Sequence, residues 1–133
     1  MTIKKKLVIP SAYEEIEKVE HLLNDLQAEI NFDDEFYARL MLTVSEAATN
    51  AAVHGNELDP KKRVLISAEY DGNTLTISTK DQGNGFKPNE VANPLDEENL
   101  LKPSGRGVFL MREYADEVSY EENGTLLVLT FHL

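Results

Sequence analysis

Residues 64–80, VLISAEYDGNTLTISTK, carry the clearest structural pattern in the chain. Apolar and polar residues alternate from Val64 to Tyr70 and again from Leu75 to Thr79, which is the period of a strand with one buried face. The segment 71–73, Asp-Gly-Asn, lies between the two runs and has the composition of a tight turn. The stretch therefore predicts a β-hairpin.

Two amphipathic helices are predicted before this hairpin. A capping-box pattern at Ser11 and Glu14 marks the start of the first helix, and apolar residues recur at helical spacing as far as Ile30. Helical spacing returns over residues 35–54, and Gly55 is expected to end that second helix as a C-cap.

The remaining segments complete an α+β pattern. A short strand is predicted at Lys5–Ile9, a long glycine- and proline-containing loop at 81–107, and a short helix at 108–114. A second hairpin, with strands at 117–121 and 125–133, closes the pattern. Because helices and strands are partly segregated, we expect one domain over residues 1–133, a two-layer α/β sandwich. Its mixed but mostly antiparallel sheet would be covered on one face by helices.

Composition limits the classes of partner. The chain has 133 residues, a formal net charge of −11 and no cysteine. So acidic a surface repels a phosphate backbone, and we expect no direct nucleic-acid partner. Disulfides and thiolate metal sites are excluded, which favours a reducing, cytoplasmic location. Apolar runs are at most four residues long, so we expect no membrane partner.

The second predicted helix carries a candidate site at Glu46 and Asn50. Four residues apart, they share one helix face. Alanines surround them, as if a backbone or a ligand must approach closely. An amide oxygen beside a carboxylate suits a Mg²⁺ ligand with a general base. A solvated helix face is the alternative, and His54 is then a helix-end residue interacting with the dipole.

Two glycine-containing motifs follow. In Asp81-Gln82-Gly83-Asn84-Gly85-Phe86, Asp81 would accept a hydrogen bond from a ligand amino group at a strand end, unless the motif is an ordinary turn. In Ser104-Gly105-Arg106-Gly107, exposed amides at a helix start would bind an anion, unless the segment is a flexible loop end. Neither a P-loop nor a Rossmann glycine pattern is present.

In this order, the three motifs resemble the GHKL ATPase superfamily and, within it, the small anti-sigma-factor serine kinases. The similarity extends from about Leu7 to Phe131 and includes the segments 45–55, 81–86 and 104–111. It implies a Bergerat-type ATP-binding fold with Mg²⁺ and ATP as cofactors. One departure is Pro103, preceded by Lys102, where members of the family often carry an arginine.

The resemblance implies a role for each matched residue. Glu46 would be the general base, Asn50 the Mg²⁺ ligand and Asp81 the acceptor for the adenine amino group. Further nucleotide contacts would come from Gly83 and Gly85, from Gly105, Arg106 and Gly107 at the phosphate end, and from Thr130 near adenine. An ATP lid would span residues 87–104. For Thr130, a plain strand residue is the open alternative.

The resemblance also implies a biological role. The chain would be a Mg-ATP-dependent serine kinase that phosphorylates a STAS-domain anti-anti-sigma protein, holds a sigma factor inactive and forms a homodimer. A nucleotide-gated module that sequesters a partner without phosphotransfer is the main alternative. A detached histidine-kinase domain and a plain α/β domain whose glycines only form turns are weaker ones.

Overall fold

The computed structural model describes residues 2–83 and 111–133. The main elements are β1 (Ile3–Pro10), α1 (Glu17–Ile30), α2 (Asp34–Asn50), β2 (Arg63–Tyr70), β3 (Thr74–Lys80), β4 (Glu117–Glu121) and β5 (Leu126–His132). Residues 111–114 are helical, but the start predicted for that helix lies outside the described residues. Within the part described, no helix is long and apolar enough to cross a membrane.

The five strands form one sheet in the order β1-β2-β3-β5-β4, and every neighbouring pair is antiparallel. The predicted α+β sandwich is therefore confirmed. The parallel pairing that a mixed sheet requires is not found among the described strands.

Both predicted hairpins are present, and their turns have the expected chemistry. At the β2–β3 turn, the Asp71 carboxylate accepts from the backbone N–H groups of Asn73 and Thr74 at 2.9 and 2.8 Å. Between β4 and β5, Asn123 and Gly124 have φ angles of 61° and 87°, in the left-handed region that these residues tolerate.

The core lies between one face of the sheet and the helices. Strand residues of alternating position, such as Ile9, Ile66, Ile77 and Leu129, are fully buried on that face. Helix α1 packs against β1, and α2 packs against β3. The Phe36 ring of α2 meets the Phe131 ring of β5 edge to face, with their centroids 5.7 Å apart.

The capping box predicted at Ser11 and Glu14 is wrong. Ser11 is buried, and its hydroxyl donates to the Lys62 carbonyl at 2.8 Å. The chain instead makes a 3-10 turn at Tyr13–Ile16 before α1 begins at Glu17. Pairing between β1 and β2 brings Lys62 next to Ser11, so a tertiary acceptor replaces the local one.

Helix α2 begins as expected and ends differently. Asp33 caps its start by accepting from the Phe36 N–H at 2.7 Å. At its other end a single π-helical turn spans Ala51–Gly55. Gly55 is not among the glycines with positive φ, so it is not the left-handed C-cap that we expected. A glycine is needed here because a Cβ atom would overlap the Asp81 carboxylate.

Candidate functional site

Helix α2 presents Glu46 and Asn50 beside its buried stripe, and both side chains are half-buried. Neither side chain makes a hydrogen bond to any other residue within 2–83 and 111–133. Among the described residues, this carboxylate and this amide therefore have no side-chain hydrogen-bond partner, and they lie one helical turn apart, where a ligand could bind both.

The alanines around these two side chains have a packing role. Ala47, Ala48, Ala51 and Ala52 are all buried and belong to the core. Their small size allows the end of α2 and the π-helical turn to lie close to β3 and β2. Of the two explanations offered by the sequence, approach of a backbone is the one that the structure supports.

Asp81 follows β3 directly and is only 8% exposed. One of its carboxylate oxygens accepts from the Gly83 N–H at 2.8 Å, and its own backbone N–H donates to the Thr125 carbonyl at 2.9 Å. Burial raises the pKa of the Asp81 carboxyl, and the Gly83 amide, Lys62 and Lys80 oppose that rise. The group is a largely desolvated acceptor at a strand end.

Two glycines allow the end of α2 to touch the loop after β3. A Cβ atom on Gly55 would overlap the carboxylate of Asp81, and one on Gly83 would overlap the carbonyl of Gly55. The helix with Glu46 and Asn50 therefore ends against the Asp81 carboxylate. The structure brings the first two motifs together at one place.

The structure does not bring Thr130 to this place. Thr130 pairs with Thr76 of β3, and its neighbours along β5, Leu129 and Phe131, are the residues that enter the core. Since side chains alternate along a strand, Thr130 lies on the opposite face of the sheet from Asp81. The plain strand residue is the interpretation that this placement favours, whereas Thr125 does contact Asp81 through its carbonyl.

Several predicted residues lie outside the described ranges. They are Gly85, Gly105, Arg106 and Gly107, together with the lid at 87–104 and the departure at Lys102 and Pro103. No sequence pattern pointed to Asn56, whose buried amide lies directly after Gly55. A polar residue after a glycine looks like a loop residue, and its burial had no local signal.

The donor set at Asn50 fits a magnesium ion that is shared with a phosphate ligand. Within residues 2–83 and 111–133, no group of three His, Cys, Asp or Glu side chains could hold a metal by itself. Mg²⁺ commonly takes only one or two protein oxygens and completes its shell with water and substrate phosphates. A half-buried amide oxygen next to a carboxylate one helical turn away matches that pattern.

Replacing Gly55 by alanine is expected to destabilise the fold through Asp81. The added Cβ would push the carboxylate away from the Gly83 N–H, and overpacking of this kind costs about 1–3 kcal/mol. Urea unfolding would measure the loss. In an Asp81→Ala background the same substitution should cost less, because the overlapping carboxylate is gone. Equal costs in the two backgrounds would contradict the contact.

The stability of the Asp81→Asn variant relative to the wild type is expected to increase as pH rises. The raised pKa means that folded protein binds this proton more readily than unfolded protein. The contribution of this carboxyl to the free energy of unfolding therefore decreases as pH rises from about 3.9, its pKa in the unfolded protein, through its higher pKa in the folded protein. Urea midpoints of both proteins between pH 3 and 7 give the difference. If the wild type instead became more stable relative to the variant as pH rises, folding would lower the pKa of Asp81, and the prediction would be wrong.

Comparisons with known proteins identify the family of the chain. Residues 9–131 match the family model described as histidine kinase-like ATPase domain. Among curated proteins, the anti-sigma F factor of Anoxybacillus flavithermus is 40% identical over 95 residues, and that of Bacillus subtilis is 37% identical over 95 residues. Each match covers 68% of this chain and 65% of the relative. The chain thus spans somewhat less than two thirds of these relatives. It belongs to the histidine kinase-like ATPase domain family, as the three sequence motifs predicted.

Proposed function

We propose that the chain binds Mg-ATP between α2 and the loop after β3, and uses it to phosphorylate a serine on a regulatory partner. The observation that supports this most directly is the buried Asp81 carboxylate, seated against Gly55 at the end of the helix with Glu46 and Asn50. Asp81, the proposed acceptor for the base, then contacts the end of the helical segment at Gly55. Glu46 and Asn50, proposed for the phosphate end, lie further back along the same segment.

Asp81 is proposed to recognise the adenine base. Its carboxylate has one oxygen committed to the Gly83 N–H, which leaves acceptor capacity for an exocyclic amino group. A purine with a carbonyl at that position would present an acceptor to an acceptor. The site would therefore discriminate against guanine, since buried polar groups without partners are costly.

Asn50 and Glu46 are proposed to act at the phosphate end. Asn50 would hold Mg²⁺ through its amide oxygen, and the ion would neutralise charge on the phosphates. Glu46 would accept the proton of the serine hydroxyl as the serine oxygen bonds to the γ-phosphorus and the bond to ADP breaks. Phosphoryl transfer needs mainly such positioning and charge stabilisation.

The proposal also covers Gly83 and several residues beyond the described ranges. Gly83 would allow the backbone to close around the nucleotide, and Gly85, which is not described, would do the same. Gly105, Arg106 and Gly107 would contact the phosphates beneath a lid at 87–104. A basic side chain from Arg106 would stand in for the arginine that is absent at Pro103.

The printed names of the relatives guide the choice of partner. They are called anti-sigma F factors. We therefore propose that this chain binds a sigma factor in the cytoplasm and phosphorylates a STAS-domain antagonist. The alternative, a nucleotide-gated module that only sequesters its partner, is less favoured because such a module has no use for Glu46.

Two substitutions on α2 should separate binding from transfer. Asn50→Ala is expected to abolish the Mg²⁺-dependent part of ATP binding in calorimetric titration. Glu46→Gln should keep that binding and lower phosphotransfer by about 10²–10⁴-fold, because the base is removed while the shape is kept. The assay follows labelled phosphate from ATP to a serine-bearing STAS-domain protein.

The results would distinguish the candidates. Unchanged ATP binding by Asn50→Ala would contradict its assignment as the magnesium ligand. Full phosphotransfer by Glu46→Gln would remove Glu46 as the base. Nucleotide binding by the wild type with no transfer to any STAS-domain serine would favour the sequestration module.

We further propose that the homodimer forms through the outer face of the sheet. The residues on that face are half-buried to exposed in the part described. One edge strand presents Lys4 and Lys6, and the other presents Glu117 and Glu121. A two-fold axis parallel to the strands would place the lysine edge of each copy over the glutamate edge of the other.

Charge reversal should test this dimer. Lys4→Glu with Lys6→Glu is expected to weaken association in sedimentation equilibrium, because glutamates would then face glutamates. Adding Glu117→Lys and Glu121→Lys restores opposite charges and should restore the dimer. A wild type that stays monomeric, or a two-site variant that associates as tightly as the wild type, would exclude this interface.

A further inference from the structure

Asn56 is completely buried, and both of its Nδ2–H donors and its Oδ1 acceptor make hydrogen bonds. Its Nδ2 donates to the Ser11 hydroxyl at 2.8 Å and to the Arg63 carbonyl at 3.0 Å. Its Oδ1 accepts from the backbone N–H of Gln82 at 2.7 Å. One amide thus links the ends of three chain segments.

Gln82 closes this network into a ring. Its side-chain Oε1 accepts from the Arg63 N–H at 2.6 Å, while its own N–H is held by Asn56. Arg63 in turn offers its carbonyl to the Asn56 amide. The start of β2, the end of the π-helical turn and the loop after β3 are therefore fixed relative to one another.

The ring determines where the Asp81 carboxylate points. Gln82 lies between Asp81 and Gly83, and the Gly83 N–H holds the Asp81 carboxylate at 2.8 Å. Gly83 has no side chain to anchor it, and glycine loses more conformational freedom on ordering than other residues. A fixed Gln82 amide supplies the anchor that the glycine lacks.

We propose that Asn56 is a positioning residue for base recognition: it holds the segment 81–83 so that the Asp81 carboxylate is preorganised for the amino group of adenine. This inference rests on the proposed nucleotide function and deepens it. Asn56 acts through Gln82 and Gly83 and does not itself touch the ligand. Its expected effect is on base selectivity, since a displaced carboxylate no longer distinguishes a donor from an acceptor.

The test compares Asn56→Leu with Ser11→Ala. The first keeps a side chain of similar length and removes both Nδ2–H donors together with the Oδ1 acceptor that holds the Gln82 N–H. The second removes the Ser11 hydroxyl, one partner of the same amide, and leaves the bond to Gln82 intact. Both proteins are checked for folding by circular dichroism and titrated with Mg-ATP and Mg-GTP.

Asn56→Leu should bind ATP at least about 10-fold more weakly and should lose most of the preference for ATP over GTP, because sub-ångström placement governs such contacts. Ser11→Ala should keep the wild-type ratio of the two affinities. An unchanged ratio in Asn56→Leu, or an equal loss in both variants, would overturn the proposal.

Amide hydrogen exchange without nucleotide gives a second readout, with Asn56→Ala replacing Asn56→Leu if the buried apolar side chain prevents folding. The Gln82 amide should be protected in the wild type and in Ser11→Ala, and should exchange at least about 10-fold faster in Asn56→Ala. Protection that survives in Asn56→Ala would contradict the positioning role. If the wild type binds no nucleotide, the proposed function fails, whereas hydrogen exchange still tests whether Asn56 holds the segment 81–83 in place.

Discussion

The closeness of the end of α2 to the loop after β3 is the constraint on which the rest of the site depends. Gly55 and Gly83 each lack a Cβ that would overlap the other segment. Buried alanines along α2 allow the same approach further up the helix. With larger side chains at these positions the helix would stand away from the sheet, and Asp81 would be exposed to water as an ordinary turn residue.

That closeness has an energetic consequence. Ser11, Asn56, Thr79 and Asp81 are buried polar residues at the same end of the core, where β1 ends and β2 begins and where β3 ends. Burying such groups is unfavourable unless their hydrogen bonds are made, and the Asn56 network makes most of them. Asp81 keeps the raised pKa of a desolvated carboxyl. Retaining a group in that state is typical of a functional site.

The charge distribution fits a local mode of ligand binding. A chain with a formal net charge of −11 does not attract a nucleoside triphosphate by its overall field. Under the proposed function, recognition comes from individual groups, and we propose Glu46, Asn50 and Asp81 for this role. On the outer face of the sheet, lysines lie on one edge strand and glutamates on the other, so opposite charges stand at opposite edges.

The sequence by itself determined the elements whose signals are local. Alternation predicted both hairpins and helical spacing predicted α1 and α2, because each depends on neighbours a few residues away. The three motifs likewise identified the family from residue types in order. Tertiary structure alone decided the contacts of Ser11, Gly55 and Asn56 and the placement of Thr130. Ser11 meets Lys62 rather than its own helix, Gly55 makes room for Asp81, and Thr130 lies on the far face of the sheet. Each of these features is set by contact between segments distant in sequence, and no local pattern encodes such a contact.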